Sequence, residues 1–220
     1  MEPNFWLDRW AKNEIGFHQA KINPYLQKFW PSIAVPKGAT VFVPLCGKSM
    51  DMHWLREQGY RVLGVELARS AVKDFFDALK LSATVSQRGR FECWEADGYT
   101  LLCGDFFDLT ASDLANVAAV FDRAALIALP PAVRERYVRK LRDILPAGAA
   151  TLLVTLTYTQ QERNGPPFSV DEQEVRKLYA SHRIEKLRDV DVLNLEENAR
   201  FKQGGLTRLS EQTYRITPVE

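Results

Sequence analysis

The residues best placed for chemistry in this chain stand where apolar runs stop. Residues 40–43 form a β-branched and aromatic run that breaks into Pro44-Leu45-Cys46-Gly47, and residues 61–65 form a second run that ends on Glu66. A glycine turn lets backbone N–H groups approach a ligand, and a carboxylate about twenty residues further on is suited to ribose hydroxyls. Gly47 and Glu66 have that spacing. Asp105 and Phe106, and later Arg123, follow further apolar runs. They add a second carboxylate, an aromatic face and a fixed positive charge. Upstream stand Trp6, Trp10 and Phe17, which offer aromatic faces, and His18, an imidazole that titrates near neutral pH.

For these groups to meet, the runs must be strands of one sheet. Residues 40–43 read as a buried strand. Ser49 is suited to cap a helix through about residue 58, Gly59 ends it, and residues 61–65 are the next strand. Strand, glycine turn, helix, strand and acidic residue make the first half of a Rossmann-like unit. Val72, Phe75 and Phe76 mark an amphipathic helix over 70–79, whereas 82–90 is polar and reads as a loop. Residues 91–94 and 99–103 read as a hairpin turned at Ala96-Asp97-Gly98. Residues 117–121 form an apolar strand that stops at Asp122-Arg123. A helix over 131–145 lies between prolines, 150–156 is a strongly apolar strand, and 170–181 is a helix. Residues 183–193 and 212–217 read as late strands of an antiparallel edge. This alternation predicts an α/β fold, a mostly parallel sheet with helices on both faces. Leu45, Glu66, Asp105 and Arg123 would then share the sheet edge where open α/β folds bind ligands. Two short helices before residue 40 lie outside the sheet.

Composition narrows the partner. The 220 residues suit one α/β domain with additions, residues 40–220 as its core and 1–39 as a cover. With 46% hydrophobic and 26% charged residues the chain can bury a core. Lys and Arg number 29 against 28 Asp and Glu, so no basic surplus points to nucleic acid. Cys46, Cys93 and Cys103 are odd in number and lack C-x-x-C spacing, which argues against a disulfide framework or a metal site and fits a reducing cytoplasm. They read as buried apolar residues rather than nucleophiles. No signal-peptide pattern and no membrane-length apolar run is evident.

The glycine turn then narrows the ligand. It lacks G-x-G-x-x-G, which argues against a pyrophosphate, and Phe42 stands where a P-loop needs glycine. A ligand with ribose and adenine but no phosphate remains, and S-adenosylmethionine fits. Glu66 would take the ribose hydroxyls, and Asp105 and Phe106 the adenine edge and face. Trp10 would meet the methionine end, where an aromatic face attracts a sulfonium cation.

Several motifs then occur in a specific order: W-x-x-x-W (Trp6, Trp10), F-H (Phe17, His18), P-L-C-G-K from Pro44, G-V-E ending at Glu66, F-D-L from Phe107, D-R-x-A-L from Asp122 and G-P-P-F from Gly165. In this order the chain resembles the thiopurine S-methyltransferases, bacterial type, over nearly its whole length. The resemblance implies a class I methyltransferase fold, with a seven-stranded sheet, an antiparallel edge hairpin and an N-terminal helical cover. It implies cofactor contacts at Trp10, Leu45, Gly47, Glu66 and Arg123, with Asp105 and Phe106 at the adenine. On the acceptor side it implies Arg123 and Arg200, with Trp6, Phe17 and His18 from the shared motifs. The implied protein is a cytoplasmic monomer acting on a small thiol or thiopurine, with no metal, nucleic-acid or membrane partner. Similarity of bacterial relatives to enzymes that methylate selenium and tellurium adds those compounds as acceptors.

With an activated donor, the protein's task is alignment and exclusion of water. Arg123 would favour an anionic acceptor, though a structural pairing with Asp122 or Asp105 is equally open. His18 is a candidate base, but a heterocyclic thiol is acidic enough to need little help. Asn164-Gly165-Pro166-Pro167-Phe168 imitates the N-P-P-[FY] motif of base amino-methyltransferases. It follows the wrong strand for that role, so it reads as a rigid loop beside the pocket. Two rival functions are a nicotinamide-dependent oxidoreductase, opposed by the missing G-x-G-x-x-G, and a catalytically silent cofactor-binding module.

Overall fold

The computed structural model describes residues 3–16, 18–19 and 21–219. Phe17, one of the expected acceptor-side residues, lies outside them. The chain opens with α1 (Pro3–Ala11) and α2 (Pro24–Phe29). Asn23 starts α2 by accepting the backbone N–H groups of Tyr25 and Leu26 on its Oδ1, and Pro24 follows where a missing N–H costs nothing. Then come β1 (Thr40–Pro44), α3 (Met50–Glu57), β2 (Arg61–Glu66) and α4 (Arg69–Ala78). Ser49 caps α3 as expected, its Oγ accepting the Asp51 N–H at 3.2 Å.

The middle of the chain supplies β3 (Thr84–Arg88), β4 (Phe91–Ala96), β5 (Tyr99–Cys103) and β6 (Val117–Arg123). The rest is α5 (Pro131–Ile144), β7 (Ala150–Thr157), α6 (Glu172–Leu178), β8 (His182–Asp191), α7 (Ala199–Gln203) and β9 (Ser210–Pro218). All the strands form one sheet in the order β3-β4-β5-β2-β1-β6-β7-β9-β8. The run from β5 to β7 is parallel, and antiparallel pairs close both edges.

Side chains of the central strands alternate between two cores, as a pleated strand requires. Val41, Val43, Val62, Phe121 and Leu152 pack with Leu26, Met52, Leu55, Phe75 and Phe76 from α2, α3 and α4. Phe42, Leu63, Val65, Val120 and Leu153 pack with Tyr137, Leu141 and Val175 from α5 and α6. Helices therefore cover both faces.

Among the described residues the sheet has nine strands, not seven. Part of the difference lies in the stretch expected to be a loop. Thr84–Arg88 is a strand, paired antiparallel with β4, and every one of its side chains is exposed. An edge strand with no buried face leaves no apolar alternation to read. The hairpin at Ala96-Asp97-Gly98 is present, with Asp97 at φ 44° and Gly98 at φ 79°. Both lie in the left-handed region that a tight hairpin turn needs.

Candidate active site

The carboxyl ends of β5, β2, β1 and β6 lie side by side because these strands are consecutive and parallel. The backbone just past two of them is strained. Leu45 after β1 has φ 46°, and Ala124 after β6 has φ 67°. For residues with a Cβ this region costs roughly 1–2 kcal/mol each, and it persists only where the surroundings fix it.

Glu66 organises the half of the edge at the ends of β1 and β2. Its side chain is buried, with Oε2 accepting the Gly47 N–H at 2.9 Å and Oε1 accepting the Ala68 N–H at 2.8 Å. Burial pushes its carboxyl above the ordinary range, and the N–H groups of Ala68, Gly47 and Leu67 pull it back. Each oxygen keeps a second lone pair, enough for a pair of ribose hydroxyls. Cys46, between Leu45 and Gly47, is buried and its thiol is held well above the usual value by burial and by Glu66. Burial and a raised pKa both work against its acting as a nucleophile.

Trp10 lies on that turn. It is buried with Ala68 and Ala71 of the α4 start, and Ile15 packs against the group. A Cβ added to Gly47 would stand 3.2 Å from the Trp10 ring, so glycine is what lets the indole settle there. Lys48 lies over the same ring, its Nζ 5.8 Å from a ring centroid, and also pairs with Asp74 at 2.8 Å. Trp6, one turn earlier on α1, is half-buried and meets Phe5 edge to face.

Arg123 organises the other half. Among the described residues neither Asp122 nor Asp105, the pairings the sequence left open, bonds to it. Its Nε donates to Asp51 Oδ2 at 2.6 Å, its Nη2 to Ser49 Oγ at 3.4 Å, and its Nη1 to Gln19 Oε1 at 3.0 Å. Asp122 turns into the core, where its Oδ2 takes the Tyr137 hydroxyl at 2.6 Å and its Oδ1 takes the Leu126 N–H at 3.2 Å. Burial raises Asp122 to about 6. Asp105 instead caps the short helix Phe106–Asp108, its Oδ1 accepting the Phe107 N–H at 2.8 Å.

Phe106 is placed differently from the expectation of an adenine-facing ring. Its side chain is buried in the core, with its centroid 4.7 Å from that of Tyr137. What it offers the edge is backbone. His18 is half-buried between charges; burial, then Lys48, then Arg123 lower its pKa, against a smaller opposing effect of Asp74. It is therefore neutral at neutral pH. Arg200 donates to the Gly16 carbonyl and lies over the Phe201 ring at 4.7 Å. It therefore reaches the N-terminal segment from α7. The Gly165–Phe168 loop adjoins the β6 end, with the Phe168 N–H donating to Ile127 O at 2.7 Å and the Tyr158 hydroxyl to Pro167 O at 2.6 Å.

Gln19 and Asp51 escaped the sequence reading, and Asn23 entered it only as the residue that opens a short helix with Pro24. Asp51 stands in the first turn of α3, where an acidic residue is ordinary, and its pairing with Arg123 spans 72 positions. Only burial distinguishes it. Surface hollows elsewhere contain none of the expected site residues. One of about 430 Å³ opens among Thr40, Arg61, Gly98 and Val117, at the amino ends of the strands. Another of about 290 Å³ lies between α5 and α6. Among the described residues no group of His, Cys, Asp and Glu is placed to hold a metal ion, and no helix is long and apolar enough to cross a membrane.

Comparison with known proteins bears on the whole chain. A family described as thiopurine S-methyltransferase (TPMT) matches residues 1–219. A thiopurine S-methyltransferase of Pseudomonas fluorescens is 53% identical over 220 residues, covering 100% of both chains. One of Azotobacter vinelandii is 50% identical over 217 residues, covering 98% of this chain and 99% of its own. Among solved structures, a Burkholderia thailandensis 1,6-didemethyltoxoflavin-N1-methyltransferase with bound S-adenosylhomocysteine aligns with a TM-score of 0.65 at 14% identity, covering 98% of this chain and 87% of its own. An S-adenosylmethionine-dependent methyltransferase from Anabaena variabilis aligns with a TM-score of 0.65 at 12% identity, over 99% and 95%. At such identities these structures speak for the fold.

Proposed function

The chain belongs to the thiopurine S-methyltransferase family, and we propose that this S-adenosylmethionine-dependent methyltransferase acts on the sulfur of a thiopurine or related heterocyclic thiol. The observation that carries the reading is the pairing, on one sheet edge, of a buried carboxylate on the turn amides with a guanidinium on the next strand but one. The residues fit the cofactor: Glu66 has lone pairs left for the ribose, and the Gly47 turn carries an aromatic face above it. When bound, S-adenosylmethionine supplies a methyl group on a sulfonium, already activated for in-line displacement.

The chain's residues then have defined tasks. Glu66 fixes the ribose, and Asp105 with the backbone at Phe106 borders the adenine. Leu45 and Gly47 shape the turn, while Trp10 closes over it and excludes water. Arg123 turns an N–H edge toward the acceptor. Its charge is shared with Asp51, so its contribution is orientation of the acceptor more than raw attraction. Neutral His18 adds no charge to repel a cationic donor. Trp6 and Arg200 complete the acceptor side from the cover and from α7. In this reading one catalytic domain comprises a core of 40–220 and a cover of 1–39. It works as a cytoplasmic monomer on small molecules, without nucleic acid. Selenium and tellurium compounds form a second acceptor class.

The test is a panel of thiopurines, aliphatic thiols, selenite and tellurite with methyl-labelled S-adenosylmethionine. The expected result is methylated thiopurine. Arg123→Ala should lower kcat/KM for it by roughly a hundredfold, with Arg123→Lys restoring part. His18→Ala should do less. If His18→Ala abolishes transfer while Arg123→Ala leaves it near wild type, the two roles are reversed.

A further inference from the structure

Asp51 joins three parts of the site that lie far apart in sequence. It is 1% exposed, in the first turn of α3, just past the cofactor turn. One carboxylate oxygen takes Arg123 Nε at 2.6 Å, and the other takes the backbone N–H of Asn23 at 2.7 Å. Asn23 is itself buried and caps α2, so it is the fixed root from which the preceding N-terminal segment departs. Ser49 completes the knot, its Oγ accepting both the Asp51 N–H and Arg123 Nη2.

The geometry at Arg123 has a direction. A guanidinium is planar, and a carboxylate on Nε fixes the plane from its inner edge. Nη1 is left pointing toward the cover, where it meets Gln19 Oε1 at 3.0 Å. An arginine without that anchor would distribute over many rotamers, and little of its time would be spent facing an acceptor. Glu211 also lies near this cluster, its Oε1 accepting Asn23 Nδ2 at 3.5 Å. Among the described residues it makes no hydrogen bond to Arg123, so Asp51 is the carboxylate that sets the plane, with Ser49 and Gln19 as neutral partners of the two Nη groups.

We propose that Asp51 is a positioning residue for methyl transfer: it orients the Arg123 guanidinium toward the acceptor and ties it to Asn23, the root of the cover. It touches neither donor nor acceptor. The proposal rests on the reading of Arg123 as the acceptor-side guanidinium. Asp51→Asn keeps the volume but places an NH₂ against one of two donors, so one of the two bonds is lost.

A double-mutant cycle tests this with Asp51→Asn, Arg123→Ala and the double variant. The readouts are kcat/KM for a thiopurine at saturating S-adenosylmethionine, S-adenosylhomocysteine affinity and melting temperature. In the wild-type background Asp51→Asn should lower kcat/KM by roughly tenfold or more, with S-adenosylhomocysteine affinity within about threefold. In the Arg123→Ala background it should add almost nothing, because residues acting as one unit are not additive. The double variant should also melt no lower than Arg123→Ala, since it removes a buried carboxylate that has lost its cation. Should Asp51→Asn not fold, Asp51→Glu, which keeps the charge but displaces it, is read in the same two backgrounds by the same criterion. A loss in kcat/KM that is as large with Ala at 123 as with Arg overturns the proposal while leaving the acceptor reading intact. Near wild-type turnover of Arg123→Ala overturns both.

Discussion

Replacing Gly47 by alanine should unseat the N-terminal cover without touching a charged group. Gly47 has φ +53°, and an added Cβ would stand 3.2 Å from Trp10 Cζ2. The two consequences separate by location. Backbone strain belongs to the turn between β1 and α3 and costs roughly 1–2 kcal/mol. For a chain of this size that lowers the melting temperature by about 3–6 °C. The crowding belongs to Trp10, which must move by a few tenths of an ångström or leave. Crowding of a packed ring costs roughly 1–3 kcal/mol, comparable to what one docked indole contributes to a short helix, so the cover yields first. Hydrogen exchange over residues 5–16 should therefore speed up well beyond the change elsewhere, with a red shift in tryptophan emission. The bond from the Gly47 N–H to Glu66 needs no change in backbone, so S-adenosylhomocysteine should still bind, weakened only through the looser cover. A lower melting temperature with unchanged exchange over 5–16 would mean that Trp10 does not rest on Gly47 in solution.

Other perturbations give distinct signatures. Glu66→Gln leaves one carbonyl oxygen for two backbone N–H groups and a ribose. S-adenosylhomocysteine affinity measured by calorimetry should fall by about tenfold or more, and unchanged affinity in a folded variant would remove Glu66 from the ribose. Glu211 is pushed up from 4.5 to about 7 by burial, against the opposing pull of Arg123 and Asn23. A raised folded-state pKa means that folding favours the protonated form, so this group's stabilisation is present at low pH and lost as pH rises through about 7. Glu211→Gln should then gain on wild type in melting temperature between about pH 5 and pH 8, and a gap that does not change with pH contradicts the burial argument. Arg200→Met keeps the stem but removes the bond to the Gly16 carbonyl. Exchange over residues 12–19 should quicken while the melting temperature moves by less than about 2 °C, and unchanged exchange would mean that Arg200 does not hold the cover.

The β1–α3–β2 unit was legible because every signal in it is local. Val41 to Val43 are apolar in a row, Ser49 caps α3, and Glu66 ends a buried strand. The strands β6 and β7 were legible for the same reason, as long apolar runs. β3 was not, because its side chains are all exposed and only its backbone belongs to the sheet. Phe106 showed that a residue can stand at the right edge while its ring turns inward, here against Tyr137. The pairing of Arg123 with Asp51 rather than Asp122 is a tertiary fact. The polypeptide places Asp122 and Arg123 on opposite faces of β6, so neighbours in sequence cannot meet. Asp122 goes to Tyr137, and Arg123 takes the one buried carboxylate that the start of α3 presents.

Sulfur as the receiving atom is the central point, and one measurement reaches it directly. S-Adenosylmethionine carrying a carbon-13 methyl group is mixed with the protein and a 6-thiopurine under single-turnover conditions, and the product is followed by long-range proton–carbon correlation. The predicted result is one new methyl signal correlated only with the ring carbon that bears sulfur. Methyl correlated with carbons flanking a ring nitrogen, or no transfer while S-adenosylhomocysteine binds, would contradict it.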